Sequence, residues 1–327
     1  MRVVFLGSGP FGLPALERLS RSSPRHEVVR VVTRPDRPQK RGRALAPMPV
    51  RVLAGELGLP CDAPDSANGP DCLESLRALA PDIFIVADYG EMLRKPLREI
   101  PRIGVYNLHA SLLPRHRGAA PIVHALLEGE RETGVTLFRI EKGLDSGPIV
   151  DVERTPVKPL ETAGELEERL ARLAADLLER NLDAFAAGTF TEKPQHETLA
   201  TLAPRIEKRA GAIRWEAAAE RVANLVHAMN PWPGAYSFLQ AAGGRPERTI
   251  FLRVRPAHGA PDPGPSGAPA PGTVERIQKD GFAVRCGVGS VDVLEVQREG
   301  KSALDAGAYL RGRPLSSGDV FLPEAAA

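Results

Sequence analysis

The sequence predicts an α/β protein in which a doubly wound domain with a mostly parallel sheet is followed by a smaller β-barrel domain. Three observations lead to this prediction. Short valine-rich apolar runs alternate with helical stretches in the first half of the chain, which is typical of βαβ units. Beyond the middle of the chain the hydrophobic period changes to two, which indicates antiparallel strands. The 327 residues are enough for two domains of ordinary size.

Strands and helices alternate along the first domain. We expect its strands at 2–6, 27–33, 82–87, 103–108, 134–140 and 148–153. We expect helices at 48–57, 71–79 and 121–128, with a further helical segment between the first two strands. The runs at 82–87 and 103–108 are apolar almost throughout, as parallel strands covered on both faces are.

A long amphipathic helix closes the first domain. Thr162 and Glu165 have the spacing of a capping box, and Gly188 is a suitable residue to end the helix. Residues 191–205 show no period and contain two prolines, so we interpret them as a linker. The predicted domain bounds are therefore 1–190, a linker at 191–205, and 206–327.

The second domain opens with a short helix at 216–229 and continues as a small barrel. Its short strands alternate with glycine and charged residues, and we expect them at 249–255, 272–277, 281–286 and 291–297. The stretch 256–272 consists mostly of proline, glycine and alanine. We expect it to form a mobile loop within the barrel.

Composition excludes several classes of protein. No apolar run approaches the roughly 20 residues that a membrane-spanning helix needs. A strand already begins at residue 2, so we expect no leader and a cytoplasmic location. Three cysteines without a C-x-x-C pair indicate neither a disulfide framework nor zinc.

One short segment is strongly basic although the chain as a whole is nearly neutral. The 43 Lys and Arg residues against 41 Asp and Glu give a net charge of +2. Residues 34–43 (RPDRPQKRGR) hold five basic side chains and one acidic one. The prolines and glycine within them disfavour a helix, so this segment is either a solvated loop or a projecting contact for phosphates.

A glycine-rich turn after the first strand permits two interpretations. Gly7, Gly9 and Gly12 form G-x-G-x-x-G between a strand and a helix, which is the placement of a dinucleotide-binding loop. Pro10 removes one amide that could bind pyrophosphate, and the second strand ends on Thr33 without the expected acidic residue. A dehydrogenase therefore stays an alternative to a plain strand-to-helix turn.

Polar side chains at the ends of two strands form the candidate site. Asn107 and His109 alternate with Leu108, so they lie on one face at the carboxyl end of a strand predicted to be parallel. Open α/β sheets bind their ligands at that edge. Asp145 lies between Gly143 and Gly147 in a turn after the next strand, where it either joins the site or only caps its own turn.

Two long runs of this sequence resemble the folate-dependent formyltransferases. They are NLHASLLPRHRGAAPI at 107–122 and GVTLFRIEKGLDSGPIV at 134–150. The RGAAPI ending, the PDRPxxRG loop at 35–42 and the NPWPGA stretch at 230–235 resemble the branch of this family that formylates methionyl-tRNA. The similarity spans nearly the whole chain, although this chain has Asp88 directly before Tyr89 where the family usually has Val-Ala-Tyr-Gly.

The resemblance implies both a fold and an activity. The fold is a Rossmann-like catalytic domain that binds formyl-folate, followed by an OB-like barrel that helps to hold tRNA. The activity is transfer of a formyl group from 10-formyltetrahydrofolate to the amino group of methionine on initiator methionyl-tRNA, for translation initiation. We expect a monomeric cytoplasmic enzyme that uses neither a metal nor NAD.

The resemblance also assigns roles to residues of this chain. The catalytic trio matches Asn107, His109 and Asp145. The turn that contacts folate matches Ser111, Leu112, Leu113 and Pro114. The loop that enters tRNA matches the basic segment, with contacts expected from Arg37, Lys40, Arg41 and Arg43, and with Arg41 reaching the acceptor end.

Formyl transfer needs a neutral amine, a stabilised oxyanion and a protonated leaving nitrogen. We expect Asn107 to donate to the oxyanion, and His109 either to donate to the same oxygen or to shuttle a proton. Asp145 would raise the pKa of His109 and orient the ring, or position a water molecule. The other functions compatible with parts of the pattern are an amino-sugar or small-amine formyltransferase, a formyl-folate hydrolase and a non-catalytic tRNA-binding protein.

Overall fold

The computed structural model describes residues 1–22, 25–38, 45–240, 246–257 and 269–323. The chain forms two compact units. The first contains Met1–Pro121, Glu132–Pro156 and Glu167–Pro204, and the second contains Ile122–Arg131, Val157–Leu166 and Arg205–Ala327. The domain bounds 1–190 and 206–327 stay a prediction.

The first unit is built on strands that come early in the chain and are separated mostly by helices. These strands are β1 (Arg2–Gly7), β2 (Glu27–Val32), β3 (Arg37–Pro38), β4 (Leu45–Ala46), β5 (Cys61–Asp62), β6 (Ile83–Ala87), β7 (Gly104–His109), β8 (Glu132–Arg139) and β9 (Ile149–Pro156). In space the main sheet has the order β5-β2-β1-β6-β7-β8-β9, and β3 pairs with β4 apart from it. The predicted α/β class is confirmed.

Strand direction in this sheet explains where a ligand site can form. The pairs from β5 to β7 are parallel, and β8 and β9 add an antiparallel edge. Strand order reverses between β1 and β6, because β2 and β5 lie on one side of β1 while β6 and β7 lie on the other. The carboxyl ends of β1, β6 and β7 therefore lie at the edge where open α/β sheets form their ligand-binding crevice.

The helices before residue 190 lie close to the predicted positions, except the short helix at 95–98, which was not predicted. They are α1 (Leu13–Arg21), α2 (Pro49–Glu56), α3 (Pro70–Ala78), α4 (Lys95–Arg98), α5 (Pro121–Leu127) and α6 (Ala163–Ala187). The capping box of α6 is confirmed, since the Thr162 N–H donates to Glu165 at 2.8 Å and the Glu165 N–H donates to the Thr162 hydroxyl at 3.3 Å. No helix within the described ranges is long and apolar enough to cross a membrane.

The second unit contains a curled antiparallel sheet. Its elements are α7 (Ala219–Ala228), β10 (Ala235–Gln240), β11 (Glu247–Pro256), β12 (Val274–Gln278), β13 (Gly281–Arg285), β14 (Ser290–Arg298), β15 (Ala303–Asp305), α8 (Ala306–Gly312) and β16 (Val320–Leu322). The sheet order is β12-β13-β14-β11-β10-β16. A bridge between Thr273 and Val320 joins the two ends, so the predicted barrel is confirmed.

The barrel is filled by aromatic and branched side chains. Trp215 is 1% exposed, and its ring contacts those of Phe251 and Phe321. The Trp215 indole N–H donates to Ser237 at 3.0 Å, which satisfies the one polar group that this side chain brings into the core. Most of the predicted mobile loop, residues 258–268, lies outside the described residues.

Residues 191–204 of the predicted linker lie within the first unit and form hydrogen bonds with its other residues. Lys193 bridges Ile149 at the start of strand β9, and Leu202 bridges Arg117. The Thr201 carbonyl accepts from the Arg117 N–H at 2.8 Å, and the Ala203 N–H donates back to the Arg117 carbonyl at 2.7 Å. This segment therefore returns to the edge of the sheet at which the candidate site lies.

Candidate active site

The candidate site begins at the carboxyl end of β7. Asn107 pairs with Val86 of the parallel neighbour and with Phe138 of the antiparallel neighbour, and His109 pairs with Thr136. Alternation along the strand gives both polar residues the same face. Asn107 is half-buried and His109 is 5% exposed. The strand thus brings an amide and an imidazole to the crevice edge of the sheet, as the sequence predicts.

The imidazole of His109 is held by a backbone group on one side and faces a carboxylate on the other. Its Nε2 lies 2.9 Å from the His116 carbonyl oxygen. A carbonyl only accepts, so Nε2 carries the proton and the neutral ring has its lone pair on Nδ1. That Nδ1 lies 3.7 Å from the nearer carboxylate oxygen of Asp145. The two members of the trio that are distant in sequence therefore meet.

The carboxylate of Asp145 has a long-range partner in the chain. Its Oδ2 accepts from the Gly118 N–H at 2.8 Å. Gly118 has a φ of +125°, and a Cβ there would lie 2.7 Å from the Ala203 carbonyl oxygen. Only glycine adopts this conformation and also leaves room for the neighbouring chain. The glycine of the RHRG run therefore positions the amide that holds the carboxylate.

Burial decides the ionisation of His109. The loss of hydration lowers the pKa of the imidazole below its ordinary 6.5, while the Asp145 carboxylate and the His116 carbonyl oppose this with smaller effects. The prediction that the Asp145 carboxylate raises the pKa of His109 is correct for this one contribution. The net decrease was not predicted, because the sequence does not show that the ring is almost completely buried. His109 is therefore neutral at pH 7.

Several polar groups of the turn after β7 form hydrogen bonds within the chain. The Ser111 hydroxyl donates to the Arg115 carbonyl at 2.7 Å. The hydroxyl of Thr136 donates to the Ser111 carbonyl at 2.7 Å and accepts from the Leu113 N–H at 3.1 Å. Ser111 and Leu113 are buried, while Leu112 and Pro114 are half-buried. Of the four residues predicted to contact folate, these last two retain accessible side-chain surface.

Backbone N–H groups of the glycine-rich turn after β1 form hydrogen bonds within the chain. The N–H groups of Ser8 and Gly9 both donate to the Asp88 carbonyl, at 3.1 and 3.4 Å. A Cβ on Gly9 would overlap the Asp88 carboxylate, so a close approach of two loops requires glycine there. Pro10 has no N–H. The loop therefore has few free amides to offer a pyrophosphate, which disfavours the dehydrogenase interpretation.

The basic segment is described only in part. Arg37 opens β3 without a described side chain, and Lys40, Arg41 and Arg43 lie outside the described residues. Arg34, which the charge count included, donates to Glu91 at 2.8 Å and is 27% exposed. One of the five basic residues of this segment is therefore engaged in a partly buried ion pair.

Comparison with protein families decides the class of the chain. The model of the formyl transferase family matches residues 1–182, and that of the formyl transferase C-terminal domain matches residues 205–314. This chain belongs to the formyl transferase family. The two matched stretches contain all three residues of the trio and most of the curled barrel.

Relatives of this formyl transferase share its whole length. A protein of Citrifermentans bemidjiense named methionyl-tRNA formyltransferase is 40% identical over 321 residues, which are 98% of this chain and 96% of the relative. A protein of the same name from a Methylobacterium species is 42% identical over 318 residues, or 97% of this chain and 98% of the relative. The likeness therefore extends over both units.

Solved structures show the same fold. An N-formyltransferase from Helicobacter canadensis, in complex with folinic acid and dTDP-3-aminofucose, has a TM-score of 0.63 at 17% identity, covering 90% of this chain and 99% of its own. HypX from Aquifex aeolicus, in complex with tetrahydrofolic acid, has a TM-score of 0.61 at 18% identity, covering 98% of this chain and 50% of its own. These similarities support the fold of the formyl transferase.

Sequence reasoning missed several residues around the trio. Thr136 fixes the turn after β7, and Gln195 and Arg117 hold the turn of Asp145. Alternation along β8 could have placed Thr136 opposite His109. A single glutamine in a stretch without a period gives no such signal, so Gln195 was not recognisable in this formyl transferase without its structure.

Proposed function

We propose that this formyl transferase transfers the formyl group of 10-formyltetrahydrofolate to the amino group of methionine on initiator methionyl-tRNA. The observation that carries the proposal is the meeting of His109 and Asp145 beside Asn107, at the crevice edge of the sheet. Relatives about 40% identical over their whole length are named for this activity. A cytoplasmic location and a monomeric state follow as expectations of that role.

The residues at this edge are compatible with a folate donor. Leu112 and Pro114 are half-buried in the turn that directly follows β7, and apolar surface near a few polar groups is typical of small-molecule sites. Two structural neighbours were solved with folinic acid and tetrahydrofolic acid. We infer that Leu112 and Pro114 line the site of the donor, while Ser111 and Leu113 shape the turn.

Asn107 supplies the stabilisation of the oxyanion in this proposal. Attack of an amine on a formyl carbon places negative charge on the formyl oxygen. The side-chain amide of Asn107 has two N–H donors and lies on the face of β7 that carries His109. A positioned donor of this kind contributes most when the charge develops in the transition state, and its removal typically slows a reaction by about 100- to 1000-fold.

His109 moves the proton in this proposal. Its Nδ1 is the free acceptor because Nε2 donates to His116, and the lowered pKa keeps the ring neutral at pH 7. The nitrogen of the amine forms a bond to the formyl carbon and loses its proton to Nδ1. The same proton then passes from Nδ1 to the leaving nitrogen as the old carbon–nitrogen bond breaks. Asp145 stabilises the imidazolium that exists between these two steps.

The test is formyl transfer to charged initiator tRNA by variants of the trio. We expect Asn107→Ala, His109→Ala and Asp145→Ala each to lower the rate by at least about 100-fold. His196→Ala is the matched control, since His196 is an exposed histidine of the same unit. Near-normal rates in all three variants would refute the assignment.

The acceptor is tested separately. Initial rates with charged initiator tRNA and with a nucleotide-linked amino sugar distinguish the proposal from a sugar formyltransferase. Release of formate without any acceptor measures the hydrolase alternative. We propose phosphate contacts from Arg37, Lys40, Arg41 and Arg43, together with the barrel, as the basis of the preference for tRNA.

A further inference from the structure

Gln195 holds the turn that carries Asp145. Its side-chain amide nitrogen donates to the carbonyl oxygens of Asp145 and Gly147, both at 2.7 Å. One NH₂ group thus uses its two protons to span the turn. Asp145 itself has a φ of +47°, in the left-handed region that is unfavourable for a residue with a Cβ. Such a conformation persists only where its surroundings fix it.

The orientation of the Gln195 amide is fixed by Arg117. The Arg117 Nε and Nη2 donate to the Gln195 side-chain oxygen at 3.1 and 2.7 Å. A guanidinium has no acceptor, so the amide oxygen must face Arg117 and the NH₂ must face the turn. A flipped amide would place NH₂ against the guanidinium and oxygen against two carbonyls, which is unfavourable on both sides.

Arg117 is in turn anchored at its other edge. It is 6% exposed, and it donates to both carboxylate oxygens of Glu197, at 2.8 and 2.7 Å. This hydrogen bond and charge hold the pKa of Glu197 below its ordinary value. Planar guanidinium and carboxylate groups fit in this two-bond geometry, which gives directional support.

Gly118 therefore contacts Asp145 directly, and Arg117 acts on Asp145 through Gln195. The Gly118 N–H binds the carboxylate of Asp145 directly at 2.8 Å. The Arg117 side chain acts through Gln195 on the backbone of the same residue. Together these contacts determine both the position of the turn and the direction of its carboxylate.

We propose that Gln195, oriented by Arg117 and Glu197, is a positioning residue that holds the Asp145 carboxylate against Nδ1 of His109. This inference rests on the proposed function of the trio and extends the site to the segment after α6. Gln195 does not itself touch the reacting atoms. It determines whether the carboxylate stabilises the imidazolium at the moment at which that ion forms.

Loss of this contact has two expected consequences. A displacement of about 1 Å in a catalytic group can slow a reaction by about 100-fold, so kcat falls while the binding of both substrates is retained. A more distant carboxylate also stabilises the protonated ring less. The titratable groups that face His109 are Asp145 and His116. With Asp145 displaced, the pKa of His109 decreases further.

The decisive variant is Gln195→Met, which keeps the approximate size and the neutral charge of the side chain but removes the NH₂ donor. We expect kcat to fall by about 10- to 100-fold with unchanged KM for tRNA and folate. We also expect the acidic limb of the kcat profile to move to lower pH. Thr198→Ala, an exposed change three residues after Gln195 in the segment, is the matched control and should leave both quantities unchanged.

A second measurement requires no turnover. The pKa of His109, followed by NMR of labelled histidine, should be lower in Gln195→Met than in the wild type. If the wild type shows no formyl transfer but the pKa of His109 is lower in the variant, the proposed function is overturned and the positioning role is supported. An active wild type whose Gln195→Met variant has the same kcat and the same pKa of His109 would overturn the positioning role alone. The positioning role would also be overturned if the variant only lowered the fraction of folded enzyme, while kcat per folded molecule and the pKa of His109 kept their wild-type values.

Discussion

At the scale of single residues, the contacts of the His109 ring limit the roles that this side chain can have in catalysis. The His116 carbonyl fixes the proton on Nε2, and burial keeps the ring neutral. The only ring atom left to exchange a proton with substrate is Nδ1, next to Asp145. Of the two roles that the sequence leaves open, we propose the proton shuttle, because a neutral ring has a lone pair to accept a proton.

This assignment predicts the sign of a pH effect. Protonation of His109 at low pH removes the base, so kcat decreases as the pH falls through the pKa of the ring, below 6.5. Asp145→Asn removes the negative charge that partly raises this pKa. We therefore expect the acidic limb of the kcat profile to move to lower pH in this variant, in addition to the loss of rate.

The measurement is kcat at saturating substrate from pH 4.5 to 8, with Glu168→Gln, an exposed change on α6, as the control. A limb that moves to higher pH in Asp145→Asn would contradict the model. It would show that Asp145 does not stabilise the charged form of the ring.

The residues of the site differ in how far the sequence could predict them. Asn107 and His109 share a face through strand alternation alone, so their proximity was predictable. The approach of Asp145 depends on a glycine at φ +125° and on an amide 27 residues earlier, which no local pattern shows. Gln195 is 50 residues from Asp145, and only the path of the chain after α6 brings them together.

At the scale of elements, long segments were predictable and short ones were not. The period of α6 and its capping residues gave both its existence and its first turn. Strands β3, β5, β15 and β16 have two or three residues, too few for a period to appear. Strand β10 follows a proline-rich turn, and its alternating face became recognisable only with its neighbours β11 and β16 in place.

The first turn of α6 provides a test of stability. Arg253 donates to Glu165 at 2.8 Å, which lowers the pKa of Glu165 to about 2. The ionised carboxylate therefore supports the cap above its ordinary pKa of 4.5, and that support is lost as the pH falls from 4.5 toward 2. The hydroxyl of Thr162 completes the cap at pH 7.

We expect Thr162→Ala to lower the free energy of unfolding by about 1 kcal/mol at pH 7, the usual cost of losing an N-cap side chain. Urea denaturation followed by circular dichroism measures this change. Thr162→Ser keeps the hydroxyl and should unfold close to the wild-type midpoint. Equal loss in both variants would assign the effect to the methyl group of Thr162 instead of the cap.

At the scale of the whole molecule, the family match and the basic segment address different questions. In the proposed function the polar trio carries out formyl transfer whatever the acceptor, so it does not by itself select a tRNA. Selection of a tRNA requires contacts with phosphates, and the net charge of +2 supplies no general attraction. The proposed acceptor therefore depends on local charge.

Arg41→Ala tests this dependence. When one phosphate contact is lost, tRNA binding releases fewer counterions. We therefore expect a higher KM for initiator tRNA and a slope of log affinity against log salt that is shallower by about one unit. The KM for the folate donor should not change. Arg172→Ala removes an exposed arginine of α6 and serves as the matched control. If Arg41→Ala leaves the KM for tRNA and its salt slope at wild-type values, residues 34–43 form a solvated loop, and the preference for tRNA must arise elsewhere in the chain.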